Sequence, residues 1–312
     1  MTDITPLRRT DHGLGGAIRW KINNWLTRHP KVLHWFGARL TVFDVFGAPG
    51  DTLLTGIVCR HLHKHFPRIR LNCLTRNPEL LRLDPNIDTL NEPESFLCLW
   101  HSYLDLLERN DAETNVLRPT LAHLGIRSYE YRGQVFLSDE ERAAARKRLG
   151  EAKKPIITFN MASKEPVKIW PVVYWIELLG RLRGGFTLVQ LGDKTEPEID
   201  GVCRFAGILS MRESMAVLSF AQIHIGPDSF LMHAANGVNV PSVAIFGGAR
   251  TPGRAGYNEN INLFMEMSCG PCWIHVDRGE QCGYDVECMK RISVDSVYDA
   301  TMRLWARRSG YA

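Results

Sequence analysis

The pattern of apolar and polar positions divides the chain into short apolar runs, which predict strands, and longer stretches with helical spacing. Its clearest expression is AQIHIGPDSFLMHAANGVNVPSVAIFG, residues 221–247. Ala221 to Ile225 are mostly apolar, as in a strand covered on both faces. Gly226 and Pro227 break that run, Asp228 or Ser229 caps the helix that follows, and Gly237 ends it. Ser242 to Phe246 then form a second buried strand, closed by Gly247 and Gly248. A strand feeding a capped helix presents backbone N–H groups and a positive dipole end at the C-terminal edge of a parallel sheet, where anionic ligands bind. An ordinary capped strand–helix–strand unit accounts for the same pattern, and His233 inside the helix is equally a half-buried histidine with its hydrogen bonds satisfied.

The same rhythm runs through the rest of the chain. Residues 14–40 read as one or two helices carrying Trp20, Trp25, Trp35 and Phe36 among Arg19, Lys21, Arg28, Lys31 and Arg39. Such a segment either lies on an anionic membrane surface or packs its aromatics on the first domain. LTVFDVF (40–46) predicts a strand, GAPGD a turn, TLLTGIVCRHLHKHFP a helix and IRLNCLT (69–75) the next strand. NPELLRLDPNIDTL predicts a short helix, a turn and a third strand. Residues 91–135 show no regular period. SDEERAAARKRLG (138–150) predicts a helix capped by Ser138 or Asp139, acidic at its start and basic at its end. The polar stretch GEAKKP places a domain boundary near residue 152. Beyond it come a strand (PIITFN), a helix (PVVYWIELLGRLR), a strand (FTLVQLGD) and a helix (MRESMAVLSFA). The expected division is a basic, aromatic segment over 1–39, a domain over 40–152 and a second over 153–312, with a ligand cleft between two parallel-sheet domains.

Composition changes this picture little. The 312 residues are enough for two domains of roughly 150 each. Hydrophobic residues make up 45% and charged ones 23%, which suits ordinary globular cores, and a net charge of +4 suggests no nucleic-acid partner. No apolar run is long enough to span a membrane, and MTDITPLRRTDHGLGG lacks the apolar core of a signal peptide, so a cytoplasmic location is expected. Half of the eight cysteines crowd into residues 269–288, which favours a metal site or free thiols over structural disulfides.

Several positions carry candidate chemistry. Asp51, after Gly47 and Gly50, sits at the start of a helix, where it either accepts a proton from an attacking hydroxyl or caps the helix. Lys164 and Lys168 in MASKEPVKIWP suit a diphosphate, or belong to a solvated loop. The acids of LGDKTEPE lie where dinucleotide folds hold ribose hydroxyls. No G-x-G-x-x-G or Walker sequence occurs, which argues against a nicotinamide enzyme or P-loop NTPase. His61, His63 and His65 read as a solvated basic face. Cys269, Cys272, Cys282 and Cys288, spaced C-x2-C-x9-C-x5-C, form a candidate closed, structural zinc or iron site, or four reduced thiols.

In combination these segments resemble glycosyltransferase family 9, the ADP-heptose:lipopolysaccharide heptosyltransferases, over roughly residues 40–295. GAPGDTLLTGIVCRHLHKHFP is similar to the family's glycine–aspartate turn and helix. RIRLNCLTRNPELLRLDPNID and FLSDEERAAARKRLG are similar to the segments that follow. KIWP and GPDSFLMHAANGVNVPSVAIFG are similar to the donor-site motifs. The resemblance implies a GT-B architecture, two Rossmann-like domains facing across a cleft, the first taking the acceptor and the second the nucleotide sugar. It implies inversion in a single displacement without a catalytic metal. Asp51 then matches the general base, Lys168 the lysine that neutralises the leaving diphosphate, and Glu196 the acid on the nucleotide ribose. Asp228 and Ser229 match the helix-start pair near the donor, and His233 the histidine one turn later; Lys164 and Gly248 are expected among the donor-binding residues as well.

Phe230 stands where the family usually has glycine, and FGGAR (246–250) replaces a turn that usually contains proline and threonine. The cysteine segment resembles that of some members, including autotransporter heptosyltransferases, in which four cysteines hold iron. The implied reaction is transfer of a heptose from ADP-heptose to a hydroxyl of a lipid-linked core glycan. A protein serine is the alternative acceptor. Sugar-nucleotide epimerisation and a non-catalytic metal-binding protein on a GT-B scaffold are the rival readings.

Overall fold

The computed structural model describes residues 14–109, 111–151, 153–272 and 281–310. Two compact units form: the described residues up to Leu106 together with Val116–Phe136, and Leu107–Asn115 together with Leu137 onward. Each is built on its own all-parallel sheet with helical crossovers, which is the GT-B class expected from the sequence.

The first unit centres on β1 (Arg39–Asp44), flanked by β2 (Arg70–Leu74) and β4 (Leu97–His101), with β3 (Thr89–Leu90) beyond β2. Leu40 is in register with both Leu71 and Leu97, and β1 is buried from Leu40 through Asp44. α3 (Pro49–His65) carries the chain from β1 to β2 and buries Leu53, Leu54, Ile57, Val58 and Leu62. α1 (Leu14–Arg28) lies against β4, and α2 (Pro30–Phe36) follows it. The side-chain amide of Asn23 donates to the Cys98 carbonyl (2.9 Å) and accepts from the Cys98 N–H (2.7 Å), so it closes part of the open edge of β4. The stretch without a period holds β4, α4 (Leu104–Glu108) and α5 (Arg118–His123). The helices are too short, and the edge strand too unevenly buried, to leave a repeat. His61 is buried rather than solvated, its Nε2 3.0 Å from the Glu130 carbonyl, because α3 turns that side chain toward residues 129–130.

The second sheet runs β10-β9-β8-β5-β6-β7. Its strands are β5 (Ile156–Phe159), β6 (Thr187–Gln190), β7 (Cys203–Arg204), β8 (Ile223–Pro227), β9 (Ser242–Phe246) and β10 (Ile261–Phe264). β8 and β9 are buried along their whole length, which is why they read as continuous apolar runs. α7 (Val172–Leu182) and α12 (Val294–Ser309) share one core, in which Trp175, Leu178 and Leu179 meet Val297, Ala300 and Leu304. The same unit holds α9 (Phe230–Gly237), α10 (Pro252–Ala255) and α11 (Glu287–Lys290).

The division between the units falls ahead of α6 (Asp139–Leu149), not after it as the polar stretch near residue 152 implied. The reason is a contact that a linear reading does not contain. Arg212 of α8 (Met211–Leu218) grips both carboxylate oxygens of Glu141, at 2.5 and 2.6 Å, in a largely buried fork. Glu141 also accepts from the Ser138 N–H (2.9 Å) to complete the capping box that starts α6. Replacing Glu141 with alanine therefore breaks a largely buried charge-assisted fork and removes a cap. The expected loss is about 3 kcal/mol, read by urea denaturation, with Ser138→Ala costing about 1 kcal/mol.

Candidate active site

Candidate groups occur in both units. In the first, β1 ends on Asp44, the chain turns through Gly47 at φ +61°, and Pro49 opens α3. Asp44 builds that turn. Its carboxylate accepts from the Gly47 N–H (3.0 Å), the Thr52 hydroxyl (2.6 Å) and the Thr75 hydroxyl (2.8 Å). Burial nevertheless pushes its pKa above the usual carboxylate value, and nearby Asp51 adds to the rise. A Cβ on Gly47 would meet the Arg76 side chain at 2.7 Å, so this position needs glycine for its dihedral and for its space.

Asp51 does not cap α3. Ala48 holds the cap position, and Asp51 sits in the first helical turn, where the dipole favours an anion. It is 6% exposed, and its Oδ1 accepts from the Tyr103 hydroxyl at 2.7 Å. Tyr103, in the loop after β4, is buried and stacks on Phe46 at 4.2 Å. His101, at the end of β4, is fully buried. Its Nδ1 pairs with the Thr120 hydroxyl (3.0 Å) while its Nε2 has no hydrogen-bond partner among the described residues. Burial pulls the His101 pKa down to about 4 against the attraction of Asp51, so the ring is neutral near pH 7. Tyr103 and His101 lie in the stretch without a period, and Asp44 reads as part of an apolar strand. No short-range signal marks any of the three.

The second unit gathers charge around Asp228, which follows β8 directly. Lys168 donates to its Oδ2 at 3.0 Å, the Arg250 Nε lies 3.8 Å from the same oxygen, and the His233 Nε2 lies 3.8 Å from Oδ1. Asp228 is 3% exposed. Burial alone would raise its pKa, but Lys168, Arg250 and His233 outweigh burial and hold it well below the usual carboxylate range. His233 is fixed in turn by Tyr257, whose hydroxyl is 2.8 Å from Nδ1. Ser229 occupies the cap position of α9 without a side-chain cap bond; the Asn160 amide reaches its hydroxyl at 3.5 Å. Two cations gathered on one carboxylate at the start of a helix, together with the N–H groups of its first turn, are an arrangement that suits an anion. Arg250 was not among the sequence candidates. Its signal was a cation at the C-terminal end of β9, within FGGAR.

Glu196 is buried, and both of its oxygens are engaged by backbone: Met161 N–H at 2.7 Å and Ala162 N–H at 2.9 Å. It thereby pins the start of the loop that carries Lys168, and each oxygen retains a lone pair for a further donor. Lys164 is exposed on that loop, within electrostatic reach of Asp193 rather than Asp228.

Gly248 lies in the cysteine pocket. Its N–H donates to the Cys288 Sγ (3.3 Å), its carbonyl accepts from the Cys272 N–H (2.7 Å), and a Cβ there would sit 3.2 Å from the Cys272 Sγ. Cys269, Cys272, Cys282 and Cys288 line one cavity of about 320 Å3, and the Val286 N–H donates to the Cys282 Sγ (3.4 Å). Burial pushes the Cys288 thiol pKa up. Among the described residues no three His, Cys, Asp or Glu side chains are arranged to hold a metal ion. Four sulfurs around one cavity, two of them accepting backbone N–H groups, are still a donor set that fits zinc or iron once deprotonated.

The glycosyltransferase family 9 (heptosyltransferase) model matches residues 111–282. The chain belongs to glycosyltransferase family 9. It is 29% identical over 130 residues to lipopolysaccharide heptosyltransferase 1 of Pseudomonas aeruginosa, a match covering 38% of this chain and 36% of that protein. Its fold is similar to that of a family 9 glycosyltransferase from Veillonella parvula, with a TM-score of 0.68, 19% identity, and 86% of this chain and 97% of the other covered. It is also similar to the iron-containing dodecameric glycosyltransferase TibC of enterotoxigenic Escherichia coli, with a TM-score of 0.66, 19% identity, and 86% and 76% covered. The structure of the heptosyltransferase TibC is also known in complex with ADP-D-β-D-heptose.

The buried Glu196 generates a pH test. Burial raises its pKa from 4.5 to about 7, against the opposing bonds from Ala162 and Met161. The folded state therefore holds this proton more tightly than the unfolded chain. The resulting stabilisation is complete below pH 4.5 and is lost as pH rises through about 7. Unfolding free energies measured from pH 4.5 to 7.5 should fall by about 3 kcal/mol more in the wild type than in Glu196→Gln.

Proposed function

We propose that this family 9 member is an inverting glycosyltransferase that moves a heptose from ADP-heptose to an acceptor hydroxyl. The observation that carries the reading is the convergence of Lys168 and Arg250 on buried Asp228 at the start of α9. In the proposed reaction the acceptor oxygen attacks the anomeric carbon while Asp51 takes the hydroxyl proton. The bond from that carbon to the diphosphate breaks, and its electron pair leaves with the diphosphate. Lys168 and Arg250 neutralise the growing charge, and N–H groups at the start of α9 orient it. Glu196 fixes the lysine-bearing loop and accepts a ribose hydroxyl. The exposed Lys164 contributes at most a distant positive charge.

The proposed acceptor is a glycan hydroxyl of the lipopolysaccharide core. A protein serine is the second reading, favoured by the shared cavity of Cys269, Cys272, Cys282 and Cys288 together with the iron-containing TibC. If those four thiols hold iron or zinc, the ion brings the residue 269–288 segment together beside Gly248 and takes no part in transfer. The proposed setting is cytoplasmic; no described helix is long and apolar enough to cross a membrane.

Asp51→Asn should lower transfer at least ~1000-fold and leave the thermal shift with ADP intact, whereas Lys168→Ala with Arg250→Ala should abolish that shift. Unimpaired transfer by Asp51→Asn would remove it as the base. The absence of a shift with any nucleoside diphosphate in the wild type would favour the non-catalytic metal scaffold. Turnover of the sugar nucleotide without acceptor would favour epimerisation.

Tyr103 acts through Asp51 as a positioning residue. Tyr103→Phe should cut kcat about tenfold with little change in donor KM, and should have no further effect in the Asp51→Asn background. Additive losses would reduce its role to packing.

A further inference from the structure

The first helix is turned inside out. The face of α1 that meets the sheet buries polar side chains: Asn23 is 4% exposed and binds the edge of β4, and Thr27 is 1% exposed and lies 2.8 Å from the His123 Nε2, while Trp20 beside them stays half exposed. The opposite face carries Ile18, Ile22 and Trp25 at positions i, i+4 and i+7, exposed by 52%, 43% and 55%. A soluble amphipathic helix has the reverse arrangement, and an apolar stripe that no described residue covers is unfavourable in water. Trp35 and Phe36 at the end of α2 are the most exposed large hydrophobic side chains among the described residues.

Charge identifies the occupant. Residues 14–39 hold five arginines and lysines and no aspartate or glutamate. Arg19 is engaged by Glu94 and lies over the Phe96 ring. Lys21 and Arg28, one turn before and after Trp25, are exposed, as is Lys31. An apolar stripe with a tryptophan, bordered by cations on long aliphatic stems, matches the boundary between anionic headgroups and acyl chains.

We propose that the outward face of α1 docks this protein on an anionic lipid surface, with Ile18, Ile22 and Trp25 entering the interface and Lys21 and Arg28 at headgroup level. The polar contacts of Asn23 and Thr27 bind the helix to its own unit and leave the apolar face for the lipid. This inference does not depend on the transferase reading.

The test is co-sedimentation of the full chain with vesicles of phosphatidylcholine alone and of phosphatidylcholine mixed with phosphatidylglycerol. The wild type should partition onto the mixed vesicles only, and added salt should weaken the binding. Lys21→Ala with Arg28→Ala should lower the partition coefficient about 30-fold, from roughly a fivefold contribution per basic residue. Ile18→Ser, Ile22→Ser and Trp25→Ser together should abolish binding while leaving the thermal midpoint unchanged, since all three side chains are exposed. Failure of the wild type to bind mixed vesicles, equal binding to neutral ones, or binding that survives both sets of changes would overturn the proposal. So would a dimer in lipid-free solution that the triple substitution dissociates, since the stripe would then be an interface between copies.

Discussion

Asp228 is the constraint around which the second unit is arranged. A carboxylate that is 3% exposed cannot remain charged without close cations, and here Lys168 and Arg250 supply them from two different crossovers. That requirement fixes the loop after β5, the exit of β9 and the start of α9 against one another. Each has its own support: Glu196 holds the Met161 and Ala162 amides, Tyr257 holds His233, and the Trp170 indole donates to the Ile292 carbonyl at 2.8 Å. Gly247 packs so closely on the Lys168 loop that a Cβ would lie 2.2 Å from the Val167 carbonyl oxygen, and Gly248 abuts the cysteine cavity. The charges around Asp228 and the four thiols are thus linked through two consecutive glycines.

The first unit solves a related problem differently. Its turn from β1 to α3 is held by Asp44, a carboxylate paired with hydroxyls and a backbone amide instead of cations. Burial keeps its pKa high, whereas the cations around Asp228 keep that pKa low. The difference fits the roles proposed for the two sites. A carboxylate that shapes a turn needs acceptor oxygens, and a pocket for an anion needs positive charge. Asp51, seven residues after Asp44, accepts from a tyrosine hydroxyl and has a neutral histidine nearby, which suits its proposed role of proton acceptor.

The match to family 9 and the two parallel sheets agree with what the apolar runs and the order of the motifs implied. β1, β8 and β9 were legible because strands buried on both faces are continuous apolar runs, and α6 because its cap and charge gradient are local. The Asp228 pocket was half legible. Asp228, His233 and Lys168 lie in recognisable segments, but Arg250 lies in a turn that departs from the family pattern, and Glu196 turned out to bind backbone amides on both oxygens.

By itself the sequence determined the fold class, the family and the segments that hold the candidate chemistry, because burial periodicity, caps and glycine turns are encoded over a few residues. Tertiary structure alone decided that α6 belongs to the second unit, through the distant Glu141–Arg212 fork, and that Asp51 meets Tyr103 and not its own helix end. It also decided that Gly248 faces sulfur and that α1 buries Asn23 and Thr27 while exposing Ile18, Ile22 and Trp25. Each of these depends on which side chain lies opposite in space, and no local period records that.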